Sequence, residues 1–196
     1  AKKRAKAAFE ALRFLNVVTQ GSSHPPQPGF AARTILPTSG ENPNATRYTP
    51  EKDRKKQKDD PYWKVLVPRW PVSADGKWYW KTDTSSDELD GHYYFYGIYY
   101  DHVAETEEEI AYVREVVSRV TDHLIEHDFQ LVDHDGNPTR WGRFSPKELN
   151  RDIRWSTGLR GLNSLSMLSY LKVAYHVTED EKYQEAYKML CDEELY

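Results

Sequence analysis

Cysteine is almost absent from this chain of 196 residues, which contains only Cys191. A single cysteine excludes a disulfide bond within the chain and a zinc site built from cysteines. Long apolar runs are missing too: none approaches the roughly 18 residues of a membrane-spanning helix, and no signal peptide is recognisable. We therefore expect no membrane partner.

Positive charge is not in excess either. The chain has 27 Lys and Arg against 31 Asp and Glu, a formal net charge of -4. Proteins that bind nucleic acid usually carry a clustered basic face. The lysine-rich run at 51–60, EKDRKKQKDD, is interrupted by acids and predicts a solvated stretch or a short exposed helix. We predict no nucleic-acid partner.

Tyrosine and tryptophan are abundant, at 14 and 6 residues. Each offers a flat apolar face and a hydrogen-bonding tip, which suits ligands that are apolar on one face and polar at the edge. Sugars are the commonest such ligands, although nucleobases and peptides fit the same description. This composition makes a carbohydrate the first ligand to consider.

The first part of the chain combines one helix with a long irregular segment. Residues Lys3–Val18 have the apolar spacing of an amphipathic helix. The stretch 22–71 is rich in Pro, Gly, Asn and Thr, and a loop of that length is either functional or disordered. Asp75-Gly76 is a turn signal that predicts a hairpin over Val67–Trp80. We predict one domain over 1–196, or a fragment of one, with a functional loop at 21–77.

Two pairs of helices follow. Ser86–Ala104 is dense in tyrosine and predicts a buried helix, and Glu105–His127 has the spacing of an amphipathic cover. After an irregular segment at Trp155–Gly161, the apolar stretch Leu162–Val177 and the amphipathic stretch Glu179–Leu190 repeat the arrangement. Both junctions have the motif HV(A/T)E, which indicates a repeated helical hairpin.

Between the helix pairs, Phe129–Phe144 alternates in the manner of a short β-hairpin. Its turn contains the run Asp133, Asp135 and Asn137, which resembles a calcium loop. Pro138 stands where that loop needs glycine, and the required glutamate is missing. We predict turn chemistry, no metal and no cofactor.

The stretch Trp78–Tyr100 carries the clearest candidate site. Its residues Asp83–Glu88, DTSSDE, predict the N-terminus of a helix, because hydroxyl side chains cap free backbone N–H groups and acids favour the first turn. The charged and titratable groups exceed what a cap requires: Asp83, Asp87, Glu88, Asp90 and His92.

Glycoside hydrolysis needs two carboxyl groups in different environments. Asp87, in the first helical turn, is favoured in its ionised form and suits a base or nucleophile. Asp83, beside aromatic residues, suits an acid that stays protonated. His92 could orient one of them, although a histidine on an aromatic helix is also a common core residue.

The string WKTDTSSDELDGHYYFY, with GLNSLSMLSYLKVAYHVTEDEKY downstream, resembles a family of uncharacterised bacterial proteins in the six-hairpin glycosidase-like superfamily. That superfamily is related in fold to unsaturated glucuronyl hydrolases and α/α-toroid polysaccharide lyases. The resemblance covers most of 78–190. It implies a mainly α fold, an α/α-hairpin toroid that is part of an (α/α)6 barrel, and a carbohydrate substrate. Two complete hairpins and the first helix of another would make a fragment or an open arc.

We therefore predict a carbohydrate-active enzyme, a glycoside hydrolase acting on a poly- or oligosaccharide through paired carboxylates. The catalytic candidates are Asp83, Asp87 and His92. The candidates for substrate binding are Trp80 and Trp141 as sugar platforms, Arg33, Arg140 and Arg160 for a uronate or sulfate, and Glu88, Tyr94 and Asn163.

Two alternatives stay open. A polysaccharide lyase would use a tyrosine or histidine as base, for which Tyr94 with His92 could serve, and an arginine or asparagine to neutralise a uronate. A non-catalytic glycan-binding domain would need the aromatics and loops without the acids. An isoprenoid-processing toroid is disfavoured because no DDxxD-type metal cluster appears. The substrate class favours a periplasmic or secreted location.

Overall fold

The computed structural model describes residues 1–151, 158–194 and 196. Within them the helices are α1 (Lys2–Val17), α2 (Pro43–Thr46), α3 (Pro50–Asp59), α4 (Ser86–His102), α5 (Glu107–Glu126), α6 (Arg160–Thr178) and α7 (Glu181–Asp192). The strands are β1 (Ile35–Pro37), β2 (Trp78–Trp80), β3 (Gln130–Val132) and β4 (Pro138–Arg143), and Lys147–Arg151 is a π-helical turn. The chain is mainly α-helical, as predicted.

Local capping explains where α4 and α5 begin. In α4 the Ser85 N–H donates to Glu88 Oε2 at 2.7 Å, and in α5 the Thr106 N–H donates to Glu109 Oε2 at 3.3 Å. Each pair forms a capping box, which satisfies backbone donors that a helix start leaves free. The predicted helical hairpins are confirmed as α4–α5 and α6–α7. Across the described residues these helices do not close into a barrel, so the toroid stays a prediction.

Aromatic stacking fixes α4 against two of its neighbouring helices, α1 and α6. Phe9 of α1 stacks on Tyr99 of α4 with ring centroids 4.3 Å apart, and Tyr93 of α4 stacks on Tyr170 of α6 at 4.2 Å. All four rings are buried. Offset stacks of this kind contribute about 0.5–1.5 kcal/mol each beyond the area they bury. The tyrosines of α4 are therefore largely core residues.

One face of α4 and α6 is nevertheless exposed. Tyr94 is 73% exposed, Leu165 66% and Leu162 56%. The prediction that α4 is buried on most sides is wrong for this face. The reason is that α1 and α6 cover the flanks of α4, while the helices described here leave the side between those flanks open.

The segment 21–77 is more ordered than a loop. It contains β1, α2 and α3, and α3 confirms the predicted short helix at 51–60. Strand β1 pairs antiparallel with β2, with Ile35 opposite Trp80, a pairing that local sequence signals did not predict. Residues 30–32 are buried beneath this ribbon, and the turn at Asp75-Gly76 folds the Ser73 N–H back onto the Trp78 carbonyl at 2.8 Å.

The predicted hairpin over Phe129–Phe144 is confirmed as the antiparallel pair β3–β4. Of the irregular segment predicted at Trp155–Gly161, residues 155–157 lie outside the described residues, and its last two residues belong to α6. No helix in the described ranges has both the length and the apolar character needed to cross a lipid bilayer.

Candidate functional site

Asp83 is held in a fully bonded position before α4. It is 6% exposed, and its backbone has a positive φ of 59°. Its Oδ1 accepts from the Arg140 N–H at 2.9 Å, its Oδ2 accepts from Arg69 Nη1 at 3.2 Å, and its own N–H donates to Asp133 Oδ2 at 2.7 Å. Both carboxylate oxygens are therefore occupied. This geometry argues against the predicted role of Asp83 as the acid.

Arg69 is the centre of that buried network. It is 2% exposed, and its Nε also donates to Asp53 Oδ2 at 2.9 Å, which ties α3 to the loop before α4. The guanidinium carbon lies 5.0 Å from the ring centroid of Trp63. A buried arginine bound to two acids and an aromatic face is typical of a structural anchor.

Five predicted site residues line one cleft, which we name the α1–α4 cleft. They are Arg33, Asp87, Glu88, His92 and Tyr94, and the cavity has a volume of about 630 Å³. The opposite wall is provided by small and apolar residues of α1. The helix spacing that suggested the site thus brings its α4 members together with Arg33, which comes from a distant part of the chain.

Charges within the α1–α4 cleft are unequally matched. Arg33 Nε lies 3.0 Å from Glu88 Oε1, while Glu88 Oε2 accepts from the Ser85 N–H at 2.7 Å. Both oxygens of Glu88 are therefore engaged. Asp87 is exposed in the first turn of α4, and in the described part of the chain no cation lies within ion-pair distance of it. Asp87 is consequently the acid in this cleft that is open to a ligand.

His92 is a neutral group at physiological pH. It is 5% exposed, and burial lowers its pKa to about 4. Its Nδ1 lies 2.8 Å from the hydroxyl oxygen of Tyr96. A neutral imidazole in this position can exchange hydrogen bonds, but it does not contribute a positive charge to the cleft.

A second cleft adjoins the first, and we name it the α4–α6 cleft. Its volume is about 600 Å³, and Tyr94 lines both cavities. Asp90 lies in it, and Asp90 Oδ1 is 2.5 Å from the Tyr170 hydroxyl. Burial, followed by the hydrogen bond to Asp90, raises the pKa of Tyr170, so this hydroxyl stays protonated and donates to the carboxylate.

Asp90 and Tyr170 received no functional role from the sequence. A signal for Asp90 was present, because Asp87 and Asp90 are three residues apart and share a side of a helix. Tyr170 had no such signal, since nothing local to α6 indicates which α4 residue it contacts.

Two predicted ligand contacts are buried and need correction. The Trp80 ring is 0% exposed, so neither face can serve as a sugar platform. Asn163 is also 0% exposed, and its Nδ2 donates to the Arg143 carbonyl at 2.9 Å. Both residues support the fold from inside.

Three further predicted residues lie away from the α1–α4 cleft. Arg140 forms an ion pair with Asp60, and its guanidinium carbon lies 4.1 Å from the ring centroid of Trp141. Trp141 is half-buried, and Arg160 is exposed at the first residue of α6. Their predicted roles would require a ligand that extends well beyond the cleft.

Among the described residues, no group of three His, Cys, Asp or Glu side chains is arranged to hold a metal ion. Comparison of the chain with known protein families, with curated proteins and with solved structures gave no match. The resemblance seen in the sequence therefore stays a prediction.

Proposed function

We propose that the α1–α4 cleft binds a carbohydrate and that the chain belongs to a glycoside hydrolase in which Asp87 acts on the glycosidic bond. The observation that carries this proposal is an exposed, unpaired carboxylate on the same cleft as a 73% exposed tyrosine ring, Tyr94. A free carboxylate binds sugar hydroxyls, and an exposed aromatic face packs on the apolar side of a sugar ring.

Asp90 is the second carboxyl group in this proposal. Residues three apart on a helix have Cβ atoms about 5–6 Å apart. Asp87 and Asp90 line adjoining clefts, and rotation of their side chains can bring the carboxyl groups to the separation of about 5–5.5 Å that retaining glycosidases use. Asp87, exposed to solvent, takes the role of nucleophile, and Asp90 takes the role of acid. Tyr170 donates to Asp90 Oδ1 and so orients this carboxyl group.

The toroid is part of the same proposal. Helices α1, α4 and α6 lie side by side, and α4 and α6 present an uncovered face, whereas α5 has a strongly amphipathic sequence. Inner helices that line a lumen and outer helices that cover them would produce this difference. The open face of α4 then corresponds to the lumen, where the substrate binds.

One observation favours a second candidate, a glycan-binding domain without catalysis. Asp83 and Glu88 are both engaged in ion pairs, so the α1–α4 cleft itself offers one free carboxylate. The lyase is favoured less, because Arg33, which would neutralise the uronate, is already paired with Glu88.

The test compares Asp87→Asn and Asp90→Asn with the native protein. The matched control is Asp59→Asn, at the exposed end of α3. Binding is measured by tryptophan fluorescence against neutral, uronate-containing and sulfated oligosaccharides, and turnover by release of reducing ends. We expect the native protein and the control to bind and turn over the same glycan.

Asp90→Asn should lower kcat by about 10²–10⁴-fold, the range for a positioned acid. Asp87→Asn should abolish most of the turnover because it removes the nucleophile, and both variants should keep Kd within a few-fold of the native value. Binding without turnover in the native protein would support the glycan-binding domain instead. No saturable binding across the panel by a protein that unfolds cooperatively would overturn the carbohydrate proposal.

A further inference from the structure

A third cavity lies on the other side of the β1–β2 ribbon, and we name it the Lys81 cleft. Its volume is about 510 Å³, and its walls include Leu36, Tyr48, Trp70 and Lys81. Arg33, the residue next to its Thr34 wall, lines the α1–α4 cleft instead. The two cavities therefore share a backbone segment but present different side chains.

The aromatic wall of the Lys81 cleft is rigidly placed. Asn44 Oδ1 accepts from the Trp70 N–H at 2.9 Å, and Asn44 Nδ2 donates to the Trp70 carbonyl at 2.9 Å. The Tyr48 ring packs beside the Trp70 ring, with centroids 5.7 Å apart. Helix α2, which carries Asn44, is thus fastened to this tryptophan. A ligand would meet a preformed apolar wall, which reduces the entropic cost of binding.

The ammonium of Lys81 differs from the two arginines near it, Arg69 and Arg33. Arg69 is matched by Asp83 and Asp53, and Arg33 is matched by Glu88. Over 1–151, 158–194 and 196, no carboxylate lies within ion-pair distance of Lys81 Nζ, which stands 5.3 Å from the Tyr48 ring centroid. Burial lowers the pKa of Lys81, the charges of Arg33 and Arg69 lower it further, and the charges of Glu88 and Asp83 offset part of this. An anion at this position would relieve both effects.

The remaining charges on the walls do not cancel Lys81. Arg47 and Glu41 both line the cavity and both are exposed at its rim. Together with Lys81 they leave one net positive charge. Leu36, Tyr48 and Trp70 make much of the remaining lining apolar. A cavity with a positive charge on one side and apolar surface on the other selects a ligand that has an anionic group and an apolar body.

We propose that the Lys81 cleft is a second binding site, for a small organic carboxylate with an apolar body. The carboxylate pairs with the Lys81 ammonium, and the body packs on Tyr48 and Leu36. This site uses none of the residues assigned to sugar binding, so it stands or falls independently of the proposed function.

The test follows acylation of individual lysines by a dilute amine-reactive ester, with mass spectrometry of the resulting peptides. Benzoate and hexanoate are the two anionic probes, which separate a flat body from a flexible chain, and benzamide is the neutral control. Lys77, exposed in the same turn region, is the internal control. We expect at least one of the carboxylates to slow acylation of Lys81 severalfold, and benzamide and Lys77 to show no effect.

Variants then assign the site by titration calorimetry with the better probe. Lys81→Gln removes a charge-assisted contact and should weaken binding about tenfold or more, whereas Lys77→Gln should leave it unchanged. Arg47→Gln, at the rim, should weaken binding by less than Lys81→Gln. Three results would overturn the proposal. The carboxylates protect Lys81 and Lys77 equally, neither carboxylate protects Lys81, or a folded Lys81→Gln protein binds the probe as the native protein does.

Discussion

Asp83 and Asp87 are four residues apart, yet they lie in opposite environments. Asp83 is buried, and Arg69 and a backbone N–H occupy its two oxygens. Asp87 is exposed on the α1–α4 cleft, with no ion-pair partner in the described part of the chain. The comparison shows that one short acidic stretch can contain both a buried structural acid and an exposed acid that is free to bind a ligand. Burial and counter-charge decide the division, since the residue type is the same.

The strongest test of this difference removes Arg69, the cation that is paired with the buried Asp83. Arg69→Met should lower the free energy of unfolding by about 3–5 kcal/mol, because it leaves Asp53 and Asp83 buried without their cation. Urea denaturation measures the loss. Arg54→Met on the exposed face of α3, where the Arg54 side chain is 62% exposed, is the matched control and should change stability by less than about 0.5 kcal/mol.

Equal stability of the Arg69→Met and Arg54→Met proteins would contradict the structural role of Asp83. Asp83 would then again be a candidate for the catalytic acid, since a carboxyl group that the fold does not need is available for catalysis.

Sequence signals predicted the longer helices and the grouping of the α4 residues on the α1–α4 cleft, and the limit has a physical cause. The start of α4 and the grouping of Asp87, Glu88 and His92 depend on neighbours within a few residues, which capping rules and helix spacing describe. The burial of Asp83 depends on Arg140, 57 positions away in the chain. Local patterns contain no information about such partners, so they could not show that Asp83 is occupied.

His92 offers a second test, because it lines the α1–α4 cleft as Asp87 does but is buried as Asp83 is. Burial lowers the pKa of His92 to about 4 and that of His123 to about 4. His123 lies in the core: its Nε2 accepts from the Val132 N–H at 3.0 Å, and its Nδ1 lies 2.9 Å from the Pro28 carbonyl. Both rings are therefore neutral in the folded protein at pH 7.

The sign of the pH effect follows from the direction of these shifts. A folded-state pKa below the unfolded value of about 6.5 means that the unfolded chain binds the proton first as the pH falls. Each histidine then contributes about 3 kcal/mol of stability that is complete above pH 6.5 and is lost as the pH falls towards 4. Stability should fall with a slope of up to about 1.4 kcal/mol per pH unit for each ring.

The measurement is urea denaturation at several pH values from 7.5 to 4.5. We expect His92→Gln and His123→Gln each to reduce the slope by a similar amount. His102→Gln, exposed in the last turn of α4, should leave it unchanged. If His123→Gln alone reduced the slope, His92 would be hydrated through the α1–α4 cleft and would resemble the exposed Asp87 in its environment.

The smallest effect is expected at two neighbouring tyrosines of α4 that face opposite ways. Tyr93 is 1% exposed and Tyr94 is 73% exposed. Thr121 uses its one hydroxyl hydrogen on the Val117 carbonyl at 2.7 Å, so the Tyr93 hydroxyl donates to Thr121 Oγ1, also at 2.7 Å. Tyr93→Phe removes that buried hydrogen bond and should cost about 1 kcal/mol of stability, whereas Tyr94→Phe should cost less than about 0.5 kcal/mol. Thermal unfolding of the two variants gives the comparison.

Glycan titration of Tyr94→Ala tests the exposed tyrosine as a sugar contact. A sugar that packs on the Tyr94 ring loses that surface in Tyr94→Ala and binds more weakly, while the stability of the protein is unchanged. Unchanged glycan affinity in Tyr94→Ala would remove the aromatic platform from the proposal.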